Sequence, residues 1–323
     1  MDAIDGARAA DRTDRHAVPD LPGASALPGG RDLPGRRGST GRDQRGGAPG
    51  RWARRTTALF GACHPLPTAA VTLLAAGLAM AAGQDAAGCL LVSAAVLTGQ
   101  LSVGWSNDAV DAARDTAAGR GAKPVVRGAV GARAVGTAAL VALALCVPLS
   151  LAYGRLAGAV HLVGVVAAWA YNVRLKSTLL SWLPYAVGFA ALPAFVTLGL
   201  PGQPRPAWWI VTAAALMGVG AHLGNVLPDI DTDLAQGVRG WPQRLGASRT
   251  RLLLPAPLLA ATALLVLGGP PGAFGAAAVA VALVAGAGGA LMGRHRPRLP
   301  FLAAILVAGV DVTLLLRQGT ALS

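Results

Sequence analysis

Two acidic stretches carry the residues best suited to chemistry. They are Asn107-Asp108-Ala109-Val110-Asp111-Ala112-Ala113-Arg114-Asp115 and Asn225-Val226-Leu227-Pro228-Asp229-Ile230-Asp231-Thr232-Asp233. Each contains the pattern Asn-x3-Asp-x3-Asp. Residues four apart share one face of a helix, so Asn107, Asp111 and Asp115 are expected to form one polar stripe, and Asn225, Asp229 and Asp233 another. The chain has 15 Asp and no Glu, and only eight Asp lie after residue 50. Six of those eight fall in the two stretches, the others being Asp85 and Asp311, so surface solvation explains them poorly. Carboxylates gathered at one mouth repel one another and require a cation. Hard divalent ions take oxygen ligands, and Mg²⁺ uses one or two carboxylates while keeping positions for water and phosphate. Two facing stripes are therefore suited to holding Mg²⁺ against a diphosphate. The sequence offers no His-Cys cluster fit for zinc and no Gly-x4-Gly-Lys-Ser/Thr loop for nucleotide hydrolysis.

Cations follow both stretches: Arg120, Lys123 and Arg127 after the first, Arg239 and Arg244 after the second. They are placed to neutralise a departing diphosphate. They also satisfy the excess of basic residues expected at inner loops, and both readings stand.

The elements that must position these groups are long apolar runs. The chain of 323 residues is 54% hydrophobic with a mean hydropathy of +0.52, too apolar for an ordinary soluble domain. Gly and Ala are abundant, as in tightly packed membrane helices. A net charge of +13 would suggest nucleic acid in a soluble protein. Here the charges sit in short gaps between apolar runs, so the expected partner is a lipid bilayer and not nucleic acid. The pattern predicts an all-α, polytopic fold with nine spans of roughly the 20 residues a bilayer requires. These are 58–82, 86–107, 132–153, 156–173, 179–200, 207–227, 250–268, 272–293 and 299–317. With the N-terminus inside, seventeen Lys and Arg between Arg51 and Arg298 flank inner ends, against only Arg155, Arg205 and Arg317 outside. That bias sets the orientation. Both acidic stretches then open on the cytoplasmic face of the cell membrane, at the ends of the second and sixth spans. Their repetition 118 residues apart hints at a parallel repeat of about four helices.

Residues 1–50 are rich in Gly, Pro, Arg and Asp without apolar periodicity, and read as a disordered tail ahead of a membrane domain at 51–323. They contain no apolar h-region of a signal peptide. Cys63, Cys89 and Cys146 are far apart and read as small buried residues. His222, three residues before Asn225, reads as a hydrogen-bonded helix histidine or a helper of the site; His161, alone in its span, is assigned no role. Asp311 near the middle of the ninth span is a functional suspect or a neutral group bonded to another helix. Trp105, Trp169, Tyr171, Trp182, Tyr185 and Phe189 are candidates to line an apolar pocket and stabilise a cation, or to form an interfacial belt.

On these residues the chain resembles the UbiA superfamily of intramembrane prenyltransferases. Asn107-Asp108-x2-Asp111-x3-Asp115 is similar to that family's first motif, and Asp229-x-Asp231-x-Asp233-x3-Gly237 to its second. Tyr171-Asn172-Val173-Arg174-Leu175-Lys176 resembles its Tyr…Lys loop after helix 4, and the similarity spans roughly residues 58–317. The resemblance implies a UbiA-like helical bundle and Mg²⁺-dependent transfer of an isoprenyl chain from its diphosphate to a lipophilic acceptor, with an aromatic or quinone-precursor type expected first and porphyrin-like rings, phosphosugars and glycerol phosphates also open. It implies Asn107, Asp111 and Asp115, with Asn225, Asp229 and Asp233 opposite, as metal and diphosphate ligands. Asp108, Asp231, Tyr171 and Lys176 are implied catalytic or supporting residues. Arg120, Lys123, Arg127, Lys176 and Arg239 are candidate contacts to phosphate oxygens. The chain departs from the family at Ala122-Lys123-Pro124, where Asn-Arg-Pro is common, at Ser177, where a second basic residue is common, and at Pro228, which is expected to kink the sixth span. Two other functions use the same features. A terpene cyclase on this scaffold would ionise the diphosphate without an acceptor; it needs a contoured aromatic pocket, and aromatics are only 5% here. A cation-coupled transporter would place its acids near the midplane and not at one mouth.

Overall fold

The computed structural model describes residues 48–292, 296 and 299–319. The tail expected at 1–50 lies outside the described residues except for its last three, which begin a helix. Among the described residues the fold is all helical, without a strand.

The first expected span is two helices, α1 (Ala48–Ala62) and α2 (Pro65–Ala81), bent by 66° at the break. Pro65 opens α2, where its missing N–H leaves no bond unmade, and His64 adopts a left-handed conformation with φ 55° and ψ 67°. α3 (Ala86–Ala117) begins with an Asp85 cap, whose carboxylate accepts the Gly88 N–H at 2.7 Å. It continues well past the expected end at 107, so the whole first acidic stretch is helical. α4 (Ala132–Tyr153) and α5 (Arg155–Val173) break at Gly154 as expected. α6 (Leu183–Leu198) is shorter than its expected run, and α7 (Trp208–Val226) follows.

The sixth span breaks at Pro228 as expected, and with it the single helical stripe expected of Asn225, Asp229 and Asp233. α7 ends at Val226, a 3₁₀ turn covers Leu227–Asp229, and α8 (Ile230–Ala235) resumes. Pro228 has no N–H to donate and its ring crowds the preceding turn, so Asn225, Asp229 and Asp233 lie on three consecutive elements. α9 (Trp241–Leu245), α10 (Ala247–Leu253), α11 (Pro255–Gly268), α12 (Ala273–Met292) and α13 (Leu299–Arg317) complete the bundle. Every expected apolar run contains a helix, but the count of nine crossings is not established. Six described helical segments are long and apolar enough to span a bilayer, or seven if the bent α1–α2 pair is one span.

Leu78, Val92, Val96, Phe195, Ile210 and Leu265 fill the main core between α2, α3, α6, α7 and α11. A second core around Leu223, Leu254, Leu258 and Val307 joins α7, α10, α11 and α13. Large apolar side chains such as Leu66, Leu73, Val166 and Leu267 remain on the outer surface, as suits a protein solvated by lipid. Two glycines bring backbones together near the acids. A Cβ on Gly104 would sit 2.3 Å from the Cys63 carbonyl, so α3 presses against the end of α1. A Cβ on Gly240 would sit 2.5 Å from the Lys176 carbonyl, so the segment after α8 lies on the loop after α5.

Candidate active site

α3 presents Asp108, Asp111 and Asp115 inward, exposed by only 2%, 9% and 2%. Each carboxylate meets a cation. The chain turns back at Gly119 (φ 63°), and Lys123 Nζ then donates to Asp108 Oδ1 at 2.9 Å and to Asp115 Oδ2 at 2.7 Å. Lys176, in the 3₁₀ turn Leu175–Ser177 after α5, donates to Asp111 Oδ1, and Arg114 approaches the same oxygen at 3.2 Å. Arg120 joins the two stretches: its guanidinium lies 3.3 Å from Asp115 Oδ1 and 3.3 Å from Asp233 Oδ1, with Asp229 Oδ1 at 4.0 Å. Gln243 of α9 donates to Asp233 Oδ2 at 2.9 Å.

The two lysines differ electrostatically. Burial pulls the Lys123 ammonium down, but hydrogen bonds to Asp115 and Asp108 outweigh it and hold Lys123 above the ordinary lysine range. Burial dominates at Lys176; with Arg114 and Lys123 close by, the Asp111 contact does not compensate, and Lys176 falls below that range.

The asparagines of the two stretches turn elsewhere. Asn107 and Asn225 both line a cavity of about 430 Å³ enclosed by α2, α3, α5, α6 and α7. Asn107 Nδ2 lies 3.4 Å from His64 Nε2, and Asn225 donates to the Tyr185 hydroxyl at 3.1 Å. Tyr171 lines the same cavity and meets Tyr185 edge-on, with centroids 5.2 Å apart. Asp229 is 55% exposed at its side chain. Asp231, Arg127 and Arg239 are exposed, and their side chains make no hydrogen bond or ion pair among the described residues. The structure thus gathers Asp108, Asp111, Asp115, Asp233, Arg120, Lys123 and Lys176. It puts Asp229 at the edge, and Asp231, Arg127 and Arg239 outside.

Three partners have no counterpart in the sequence reading. His64 places Nε2 3.0 Å from Asp108 Oδ1, and no local pattern links it to α3. Gln243 is equally remote. Arg114, one turn from Asp111, was open to an i,i+3 reading. The other candidates separate cleanly. His222 is buried, 3.1 Å from the Ser181 hydroxyl, under the rings of Tyr171 and Tyr185. Asp311 bonds Thr262 of α11 at 2.5 Å in the protein interior. Tyr171, Tyr185 and Phe189 line the cavity. Trp105 instead donates to the Leu59 carbonyl, and Trp169 to the Ser102 hydroxyl.

Carboxylate and amide oxygens are the donor set that hard divalent ions take, so the chemistry of these residues fits Mg²⁺. Among the described residues no three of the acids or histidines converge on one point; Arg120 and Lys123 stand between them. A diphosphate entering there would find one guanidinium and two ammonium groups at the head of an apolar cavity.

Comparison with known proteins identifies the family and the fold. The model of the UbiA prenyltransferase family matches residues 68–306. Over 110 residues, 30% of this chain, the sequence is 37% identical to the bacteriochlorophyll synthase 33 kDa chain of Cereibacter sphaeroides, and the match spans 36% of that protein. A UbiA homologue from Archaeoglobus fulgidus bound to GPP and Mg²⁺ superposes with a TM-score of 0.62 at 15% identity, over 82% of this chain and 99% of that one. An apo UbiA homologue from Aeropyrum pernix gives 0.57 at 22% identity, covering 75% and 97%. A digeranylgeranylglyceryl phosphate synthase gives 0.59 at 12% identity, covering 82% and 98%.

Proposed function

Since the chain belongs to the UbiA prenyltransferase family and is a multi-pass membrane prenyltransferase, we propose that it transfers an isoprenyl group from its diphosphate to a lipophilic acceptor with Mg²⁺. The observation that carries this reading is the joining of the two acidic stretches by Arg120, with Lys123 and Lys176 alongside, at the mouth of an apolar cavity. The structurally similar protein from Archaeoglobus fulgidus binds GPP and Mg²⁺, which supports the same ligand pair here.

Asp111 and Asp115 would hold the metal, with Asp229 and Asp233 opposite. Bound Mg²⁺ supplies positive charge to a departing diphosphate. Arg120, Lys123 and Lys176 exchange carboxylate for phosphate oxygens and neutralise the same charge. The C1–O bond breaks with its electron pair leaving on the diphosphate. The rings of Tyr171 and Tyr185 face the cavity, where they stabilise positive charge on the allylic carbon. The apolar walls exclude water until the acceptor's nucleophilic atom bonds to C1 and releases its proton. His64, with Asp108 beside it, and the two tyrosines offer ring faces and polar edges that suit an aromatic, quinone-precursor acceptor. The local identity to a bacteriochlorophyll synthase chain favours a macrocyclic acceptor as a second reading. We place the mouth on the cytoplasmic side of the cell membrane, from the excess of Lys and Arg there.

The test is diphosphate release from geranyl and farnesyl diphosphate by purified protein, with Mg²⁺ and then with EDTA, with and without a membrane lipid extract. Release that needs both Mg²⁺ and extract supports transfer, and mass analysis of the product identifies the acceptor. A cyclic hydrocarbon formed without extract supports cyclisation. Release unaffected by EDTA overturns the metal assignment.

A further inference from the structure

The geometry points to a tier of three rings, His161, Phe195 and Tyr153, as a floor that limits the prenyl tail to about three isoprene units, or about 15 carbons. The inference rests on the prenyl-transfer reading above and names the substrate length for that site.

The cavity has a definite depth. On α5 its lining runs from Tyr171, beside the acids, to His161, about 15 Å at 1.5 Å per residue. On α6 it runs from Pro184 to Leu192, about 12 Å by the same rise. Beneath His161 the bundle is filled. Phe195, 0% exposed, stacks on the His161 ring with centroids 4.6 Å apart and planes at 19°. Tyr153 meets Phe195 edge-on at 5.0 Å. Buried Val92, Val96 and Val196 occupy the surrounding core.

Hydrogen bonds hold two of these rings, His161 and Tyr153, in place. The Ser150 hydroxyl donates to the Cys146 carbonyl at 2.7 Å, so it accepts from His161 Nδ1–H at 2.8 Å. The Tyr153 hydroxyl donates to the Val196 carbonyl at 2.9 Å and accepts from Gln84 at 2.8 Å. Three helices, α4, α5 and α6, thus contribute one ring each to a cross-linked layer. A tail reaching it meets two rings tied by hydrogen bonds and a third, Phe195, packed between them.

Length and volume agree. An extended peptide residue spans about 3.3–3.6 Å over three backbone bonds, so the four bonds of an isoprene unit span roughly 4.5 Å and three units roughly 14 Å. An apolar cavity of about 150 Å³ holds benzene, or about 25 Å³ per carbon. On that scale about 430 Å³ accommodates about 17 carbons in all, an upper bound on a tail that shares the cavity with part of the acceptor. A fourth unit would need about 500 Å³.

The experiment compares turnover of geranyl, farnesyl and geranylgeranyl diphosphate by the full-length protein in lipid nanodiscs with membrane extract. Wild type should turn over the farnesyl substrate at least about tenfold faster than the geranylgeranyl one, the size of discrimination a closed apolar pocket achieves. His161→Ala should reduce that ratio at least about fivefold. Ala168→Leu obstructs the lining two turns above His161 and leaves the floor intact. It should shift preference at least about fivefold from farnesyl toward dimethylallyl diphosphate. Equal use of the geranylgeranyl substrate by wild type, or a ratio unchanged in both variants, overturns the floor and leaves prenyl transfer standing. Turnover of none of these diphosphates defeats the underlying reading together with it.

Discussion

Replacing Lys123 with Met should destabilise the protein by an amount the geometry bounds. Among the described residues Lys123 alone donates to both Asp108 and Asp115, at 2.9 and 2.7 Å. Methionine preserves most of the apolar stem and deletes the charge. Both carboxylates are 2% exposed, so water does not replace the lost donor. Removing one partner of a buried ion pair costs about 3–5 kcal/mol. Here each acid keeps a second contact, Asp108 with His64 at 3.0 Å and Asp115 with Arg120 at 3.3 Å. The cost then falls at the lower end, about 3 kcal/mol. At about 2–4 °C per kcal/mol for a chain of this class, the unfolding midpoint should drop by about 6–12 °C. Cys63 and Cys146 are 1% and 0% exposed, so with the partly exposed Cys89 replaced by Ser a thiol-reactive dye reports unfolding in detergent. Adding Asp108→Asn to Lys123→Met should restore about half of the loss, because it removes one stranded charge. A Lys123→Met protein melting within about 1 °C of wild type, or a second substitution that only adds its own cost, would refute the reasoning.

Asp111→Asn or Asp229→Asn should cut diphosphate turnover by roughly 10²-fold, the loss of about 3 kcal/mol of charge stabilisation, with the melting midpoint preserved in Asp229→Asn, whose side chain is 55% exposed; wild-type rates in both variants would remove these residues from the proposed metal site. Reporter fusions after Arg127 and after Arg244 should both signal cytoplasm, and a signal from the opposite face for either would break the shared mouth. Removing residues 1–47, which precede α1, should leave activity within about threefold; a truncated protein that folds but has lost turnover would give that segment a role.

Apolar runs of this length are legible because a bilayer imposes them, and each of the nine contains a helix. How far a helix continues beyond its apolar part is less visible. α3 carries Asp108, Asp111 and Asp115 past the expected end because their charges are compensated by Lys123, Lys176 and Arg120, which arrive from elsewhere. The second stretch repeats the i,i+4 spacing, yet Pro228 breaks it into three elements, so identical spacing yields different exposure at Asp111 and Asp229. The acids clustered in an acid-poor chain are brought together with Arg120, Lys123 and Lys176 in the fold. Their wiring was hidden because the decisive pairs are distant: His64 with Asp108 across 44 residues, Lys176 with Asp111 across 65, and Arg120 with Asp233 across 113. Residue types in a local window carry no record of such contacts.

Four cations, Arg114, Arg120, Lys123 and Lys176, stand against five carboxylates before any ligand arrives. A divalent ion entering alone competes with those cations for the carboxylates. A polyanion entering alone competes with the carboxylates for the cations. Each ligand therefore removes the obstacle facing the other. Thermodynamic linkage requires the two gains in affinity to be equal, so metal and diphosphate should bind with strong positive cooperativity and weakly when apart.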